Sequence, residues 1–347
     1  MTWAAVLAEL MAGRDLTGEA AAWAMDQILS GEATQAQIAG FAVALRAKGE
    51  SVAELTGLAQ SMLDHATAIT LPGEAVDVVG SGGDRAMTVN ISTMAAIVAA
   101  AMGVPVVKHG NRAASSACGT ADCLEALGVA LDVPPAAQAE VLAEAGIVFM
   151  FAAMYHPALR YVASARRELG VPTTFNFLGP LANPARPHAS AIGVADARMA
   201  PLVAGVIAGR GHRGLVFHGG DGLDELTTTT SSRVWLVGDG QVVETTFNPA
   251  ELGIAAARPA DLVGGDPAHN AQVVRDVLAG QRGPVRDIVA LNAAAAAFAF
   301  AGPDLAAPVA PQLAPHFANA EAAIDSGAGA KLLDVWIAAT QAARASQ

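Results

Sequence analysis

From Val76 onward the chain repeats one pattern, and that pattern limits its folds more than anything else in the sequence: a short apolar run, a turn, a helical stretch, then another apolar run. The runs are Val76 to Val79, Val104 to Val107, Ile147 to Phe151, Ala191 to Val194 and Leu215 to Phe217, with helical segments such as Thr93 to Met102 between them. This is the signature of parallel strands joined by crossover helices, so the expected body is α/β, with a central mostly parallel sheet surrounded by helices. Val234 to Val237 and Gln241 to Thr245 flank Gly238-Asp239-Gly240, which predicts a hairpin, and the remainder reads as helical.

The first seventy residues follow a different rule. Thr17, Thr34 and Ser51 are placed as N-caps, Gly31 and Gly49 as stops, and Thr34-Ala-Gln-Gln37 and Ser51-Val-Ala-Glu54 as capping boxes. Apolar residues recur at helical spacing (Ile38, Phe41, Leu45; Leu55, Leu58, Met62), so four short helices are expected here as a small all-helical lobe.

Composition narrows the function classes. Apolar residues make up 53% and charged residues 15% of the 347, yet the richest run, Asn292 to Gly302, suits a buried core helix better than a membrane span. The start Met1-Thr2-Trp3 lacks a basic signal region, and Cys118 and Cys123 are too few for a disulfide framework; both point to the cytoplasm. A net charge of −12 repels polyphosphate backbones, so nucleic acid is not an expected partner, nor, without a spanning apolar stretch, is a membrane, and a small anionic substrate would need a local cationic site.

Five segments have the residue types for such a site. Gly80-Ser81-Gly82-Gly83-Asp84 follows a strand and lets backbone N–H groups converge on an anion; with Arg85 at the third-glycine position it is no dinucleotide fingerprint, and without a following Gly-Lys-Ser/Thr it is no Walker loop. Thr88, Asn90, Ser92 and Thr93 precede an apolar helix, where one of the hydroxyls is expected to act as N-cap and the others could bind an oxyanion or a hydrated divalent ion. Lys108-His109-Gly110-Asn111-Arg112-Ala113-Ala114-Ser115-Ser116, with Thr120 beyond, gathers two cations, an imidazole, an amide and two hydroxyls near the carboxyl edge of the sheet, where ligands bind in such folds. Asp224-Glu225 lies on a glycine-rich segment and reads either as a magnesium-binding pair or as a solvated acidic loop. His156 and the Arg166-Arg167 pair precede a proline-rich interval, Thr173 to Pro187, expected to be an ordered hinge or pocket-lining loop; an Arg there could fork a planar carboxylate.

Taken in this order, the motifs resemble those of the anthranilate phosphoribosyltransferase family: Gly80 to Asp84, Asn90 to Thr93, Lys108 to Asn111, Arg166 to Gly170, Phe175 to Pro184 and Asp224-Glu225. The resemblance implies a helical domain of residues 1–71, with a returning segment at about 157–187, and an α/β domain of residues 72–156 and 188–347 that binds phosphoribosyl pyrophosphate. It assigns that substrate to Gly80, Gly83, Asp84, Thr88, Asn90, Ile91, Ser92, Thr93, the segment Lys108 to Ser116 and Thr120, and two Mg2+ ions to Ser92, Asp224 and Glu225. Anthranilate falls to Asn111 and Arg166, with Lys108, His109 and Arg166 as the catalytic set, in a homodimer joined through the helical lobe. Ser81, Ala117-Cys118, Leu159 and Pro172 depart from the family pattern.

Two rival readings stay open on sequence alone. A pyrimidine nucleoside phosphorylase shares the expected fold but would leave Arg166 and Asp224-Glu225 without a clear purpose. A catalytically silent relative that binds nucleic acid should carry a basic stripe, and 20 Lys plus Arg against 32 Asp plus Glu offer no obvious one.

Overall fold

The computed structural model describes residues 1–113 and 117–346. Its centre is a seven-stranded sheet: β1 (Val76–Gly80), β2 (Val106–Gly110), β3 (Ile147–Phe151), β4 (Ala189–Gly193), β5 (Arg213–Gly219), β6 (Ser232–Gly238) and β7 (Gln241–Phe247), in the order β3-β2-β1-β4-β5-β6-β7. The first five strands are mutually parallel, and the expected hairpin adds β6 and β7 as antiparallel neighbours. The chain leaves β1 toward β2 and β3, then returns to β1's other side as β4. In a parallel sheet such a reversal opens a crevice at the carboxyl ends of the two strands, here between Gly80 and Gly193.

Alternate side chains enter two separate cores. Val76, Val78, Ala191, Leu215, Phe217, Val234 and Leu236 face one; Val79, Ile192, Val216, Trp235 and Val237 face the other. The first is built around the helices Ile91–Ala101 and Pro284–Ala301. Pro284–Ala301 is long and apolar enough to cross a membrane by length and composition, but 72% of it is buried inside the fold. Its alanines let it lie close against both the sheet and Ile91–Ala101.

The second core joins the helix Ala200–Gly209 to the amino-terminal helices Trp3–Met11, Gly18–Leu29, Gln35–Lys48 and Val52–Asp64. Thr17, Thr34 and Ser51 cap the last three of these as expected, with both capping boxes formed. Gly57 sits where Val52–Asp64 crosses the start of Gly18–Leu29; a Cβ there would lie 2.0 Å from the Gly18 carbonyl oxygen. Backbone contact at that crossing requires glycine. The helix Arg160–Leu169 returns to this lobe, where the Ala165 N–H donates to Gln35 Oε1 at 3.1 Å.

The expectation of a hydroxyl N-cap between Thr88 and Thr93 is corrected. The cap residue of Ile91–Ala101 is Asn90, and its side chain makes no capping bond. Instead Asn90 Nδ2 donates to the Cys118 carbonyl at 3.2 Å and Oδ1 accepts from Asn270 at 2.8 Å, so two distant segments have claimed the amide.

Candidate active site

The β1–β4 crevice opens into a cleft of about 380 Å3. Gly80, Gly83, Asp84, Thr88, Asn90, Ile91, Ser92, Lys108, His109, Gly110, Asn111, Arg112, Ala113, Thr120, Arg166, Asp224 and Glu225 all line it. Thr93 does not: it is buried, with Oγ1 lacking a hydrogen-bond partner among the described residues. Ala114, Ser115 and Ser116 lie outside the described residues.

The turn after β1 is built by its glycines and held by the acidic segment. Gly82 and Gly83 take positive φ values of 70° and 87°, as do Arg85 and Met87 at 60° and 53°, strained positions for residues with a Cβ. The Gly82 N–H donates to Asp224 Oδ2 at 2.7 Å. A Cβ on Gly80 would fall 2.3 Å from that same oxygen, and one on Gly193 would fall 1.6 Å from the Asp224 carbonyl oxygen. Both strands end in glycine because the Asp224 segment rests directly on their backbones. Ser81, one of the departures from the family pattern, ties the turn to the segment after β4: Oγ accepts from the Ala195 N–H at 3.0 Å.

Asp224 is buried and Glu225 half-buried, so the solvated-loop reading of this pair is excluded. Burial first, then the Asp84 carboxylate, pushes Asp224 up to about 7; burial and Asp224 raise Glu225 well above its ordinary value. Three acidic groups around one turn are a locus for a divalent cation, which would relieve their mutual repulsion. Among the described residues no three His, Cys, Asp or Glu side chains form a cage by themselves. That suits magnesium, which is commonly held by one or two carboxylates with waters and substrate phosphates supplying the rest.

Lys108 lies within β2, its side chain running beneath the cleft at 1% exposure. Nζ donates to the Val78 carbonyl and, at 3.2 Å, to Ser92 Oγ, tying β1 to the helix start. Burial depresses its pKa. Arg112 is engaged at the surface, bridging Asp122 and Glu125 at 2.9 Å each.

His109 is held from three directions. Its backbone N–H donates to Asp77 Oδ1 at 3.1 Å, Asn183 Nδ2 donates to Asp77 Oδ2 at 2.8 Å, and Nδ1 lies 3.1 Å from the Gly179 carbonyl. A carbonyl can only accept, so Nδ1 carries the proton and Nε2 is left as an acceptor, buried and unpartnered among the described residues. Burial and neighbouring His156, its ring 5.3 Å away, push His109 down to about 3 and keep it neutral.

The far wall is supplied by the helix Arg160–Leu169 and the proline-rich interval, which is a pocket-lining loop as expected: Phe175, Asn176, Gly179 and Pro180 all face the cleft. Glu50 anchors this loop by accepting from Thr174 Oγ1 at 2.7 Å. Arg166 is half-buried, faces the cleft, and makes no ion pair or side-chain hydrogen bond among the described residues; burial lowers its pKa. Met62, from the amino-terminal helices, and Ala152 also line the cleft. Nothing in their local sequence distinguishes them from core residues.

A crevice of this kind, flanked by a helical bundle, is found in a class of transferases. The glycosyl transferase family, a/b domain, matches residues 72–330, and the glycosyl transferase family, helical bundle domain, matches residues 4–66. Within that class, an anthranilate phosphoribosyltransferase of Nocardioides sp. is 60% identical over 98% of this chain and 99% of its own length, and that of Acidothermus cellulolyticus is 62% identical over 99% and 96%. The crystal structure of the Thermus thermophilus anthranilate phosphoribosyltransferase, 40% identical, superposes with a TM-score of 0.89 over 97% of this chain and 99% of that one. The chain belongs to the anthranilate phosphoribosyltransferase family of enzymes. The same fold is seen in the Saccharomyces cerevisiae anthranilate phosphoribosyltransferase in complex with PRPP and Mg, 24% identical with a TM-score of 0.87.

Proposed function

We propose that this cleft transfers the 5-phosphoribosyl group of phosphoribosyl pyrophosphate to the amino group of anthranilate, releasing N-(5-phosphoribosyl)anthranilate and pyrophosphate, in tryptophan biosynthesis. The observation that carries this reading is the pairing of opposites across one cavity: an acidic, glycine-built wall suited to a metal-bound polyphosphate, and an unpaired guanidinium, Arg166, suited to a carboxylate.

The phosphates of the donor lie on the Gly80–Asp84 turn, the start of Ile91–Ala101 and the segment from Lys108 through Thr120. Backbone N–H groups and the helix start favour negative charge there, and Lys108 adds a buried positive charge beneath it. Ser92, Asp224 and Glu225 hold magnesium, with two ions as the full complement; bound magnesium neutralises charge on the leaving pyrophosphate. Arg166 and Asn111 orient anthranilate. At the anomeric carbon the C–N bond forms as the C–O bond to pyrophosphate breaks, and the amine gives up one proton. An aryl amine is neutral at pH 7, so alignment of the two reactants accounts for much of the rate. His109 Nε2, a free acceptor on a neutral ring, is placed to take a hydrogen bond from that amine.

The working division is a helical unit of residues 1–71 with the returning segment at about 157–187, supported by the Ala165–Gln35 contact, and an α/β unit made of the rest. The assembly is a homodimer through the helical lobe, whose surface exposes Met11 and Val43, and the compartment is the cytoplasm, in keeping with a chain whose two cysteines, both buried, are too few for a disulfide framework. Loss of anthranilate fluorescence on mixing protein, magnesium and phosphoribosyl pyrophosphate tests the reaction directly. Magnesium-dependent loss is expected, and none from folded protein would refute the assignment.

A further inference from the structure

A second cavity, of about 300 Å3, lies behind the same loop, at the amino ends of the strands near Ser190. Among its lining groups are Arg186, Arg210, His188 and His212, a concentration of cationic and imidazole side chains in a chain of net charge −12. These groups crowd one another. The His188 and His212 rings are 4.8 Å apart; burial, His188 and Arg210 push His212 down to about 4, while burial and Arg186 bring Arg210 to about 10.

Among the described residues no free carboxylate balances them inside. Asp77 reaches this cavity, but its two oxygens are taken by the His109 N–H and by Asn183. Asp64 lies outside at 3.4 Å from Arg186, and Glu74 is paired with Arg213 at 2.7 Å. Arg210 Nη1 donates to the Leu181 carbonyl at 2.9 Å, but Nη2 is buried with no partner among the described residues. A buried guanidinium nitrogen without an acceptor is costly, and a guest anion would remove that cost.

The rest of the lining includes Leu63, Leu181 and Ile207, apolar surface that a bare phosphate or sulfate would leave uncovered. The volume falls at the lower end of the range for small-molecule sites. We propose that this cavity binds a small organic carboxylate, its carboxylate on Arg186 and Arg210 and its aliphatic body against Leu63, Leu181 and Ile207.

The probe is 4-methylpentanoate, titrated by calorimetry and by NMR of the histidine rings. It is added to protein carrying Arg166→Ala, so that the catalytic cleft lacks the guanidinium assigned to a carboxylate there. Saturable binding that moves the His188 and His212 resonances is expected, weakened at least tenfold by a further Arg186→Gln. Arg186 is half exposed and its loss leaves the core intact, which an unchanged thermal midpoint without ligand would verify; the single Arg210→Gln provides an independent check from the buried side. Absence of saturable binding, binding that leaves both resonances in place, or an affinity unchanged from the parent protein in both Arg variants would overturn the proposal. Inorganic phosphate moving the same resonances at lower concentration than the carboxylate would overturn the assigned ligand class.

Discussion

The two walls of the catalytic cleft manage charge in opposite ways. On the sheet side, Asp224, Glu225, Asp84 and Lys108 lie close enough for each to shift another's protonation, and Asp224 rests directly on the backbones of Gly80 and Gly193. On the helical side, Arg166 stands alone, half-buried and unpaired among the described residues, on an element belonging to the other core. A crowded, self-compensating wall suits a metal-bound polyanion whose charge must be matched from several directions. A single guanidinium suits one planar carboxylate, for which shape discriminates more than total charge does.

That contrast breaks first at the metal. Replacing Asp224 and Glu225 together by Ala is expected to reduce magnesium-dependent turnover by roughly a thousandfold or more, comparable to or larger than the loss of a single strong electrostatic donor. Titrating magnesium against rate in both proteins measures it, and a double variant of near-normal activity would show that the acidic wall serves only to hold the glycine turn.

Next comes the lone cation. Arg166→Ala is expected to raise KM for anthranilate by roughly ten- to a hundredfold, the worth of one charged hydrogen-bonded pair, with KM for phosphoribosyl pyrophosphate changed by less than about threefold. Equal increases in both constants would mean that the two walls are not separate.

The smallest expected effect lies at their junction, in His109. Its folded-state pKa, about 3, is below the ordinary histidine value of 6.5, so the unfolded chain binds more protons between those values. The stability associated with a neutral His109 is therefore complete above pH 6.5 and is lost as pH falls toward 3, by about 2 kcal/mol at pH 5. His109→Gln should lose correspondingly less stability between pH 7 and pH 5 in denaturant titrations, and an unchanged pH dependence would show that His109 is not the group responsible.

Much of this was legible in the sequence because it is local. Strand, glycine turn and helix start follow one another within a few residues, and the topological reversal then brings Gly80, Lys108 and Arg166 to one crevice. What could not be read was decided by partners far along the chain. Asn90 gives up its capping role because Asn270 and Cys118 engage its amide. Asp77 looks like a flaw in an apolar strand until Asn183 arrives to bind it, and Arg112 looks like a free phosphate ligand until the helix carrying Asp122 and Glu125 folds beside it. Met62 reaches the cleft only because its helix packs against the proline-rich loop.

The position of Pro284–Ala301 in the chain bears on how the protein is made. Five parallel strands and the hairpin leave the ribosome before the helix that covers β1, β4 and β5. Synthesis at roughly 5–20 residues per second leaves that sheet face open for several seconds. Throughout that interval Ala191 and Leu215 lack their permanent cover, and the helix that will supply it is itself long and apolar enough to cross a membrane by length and composition. The segment from Pro284 onward thus closes a core begun at Val76, more than two hundred residues earlier.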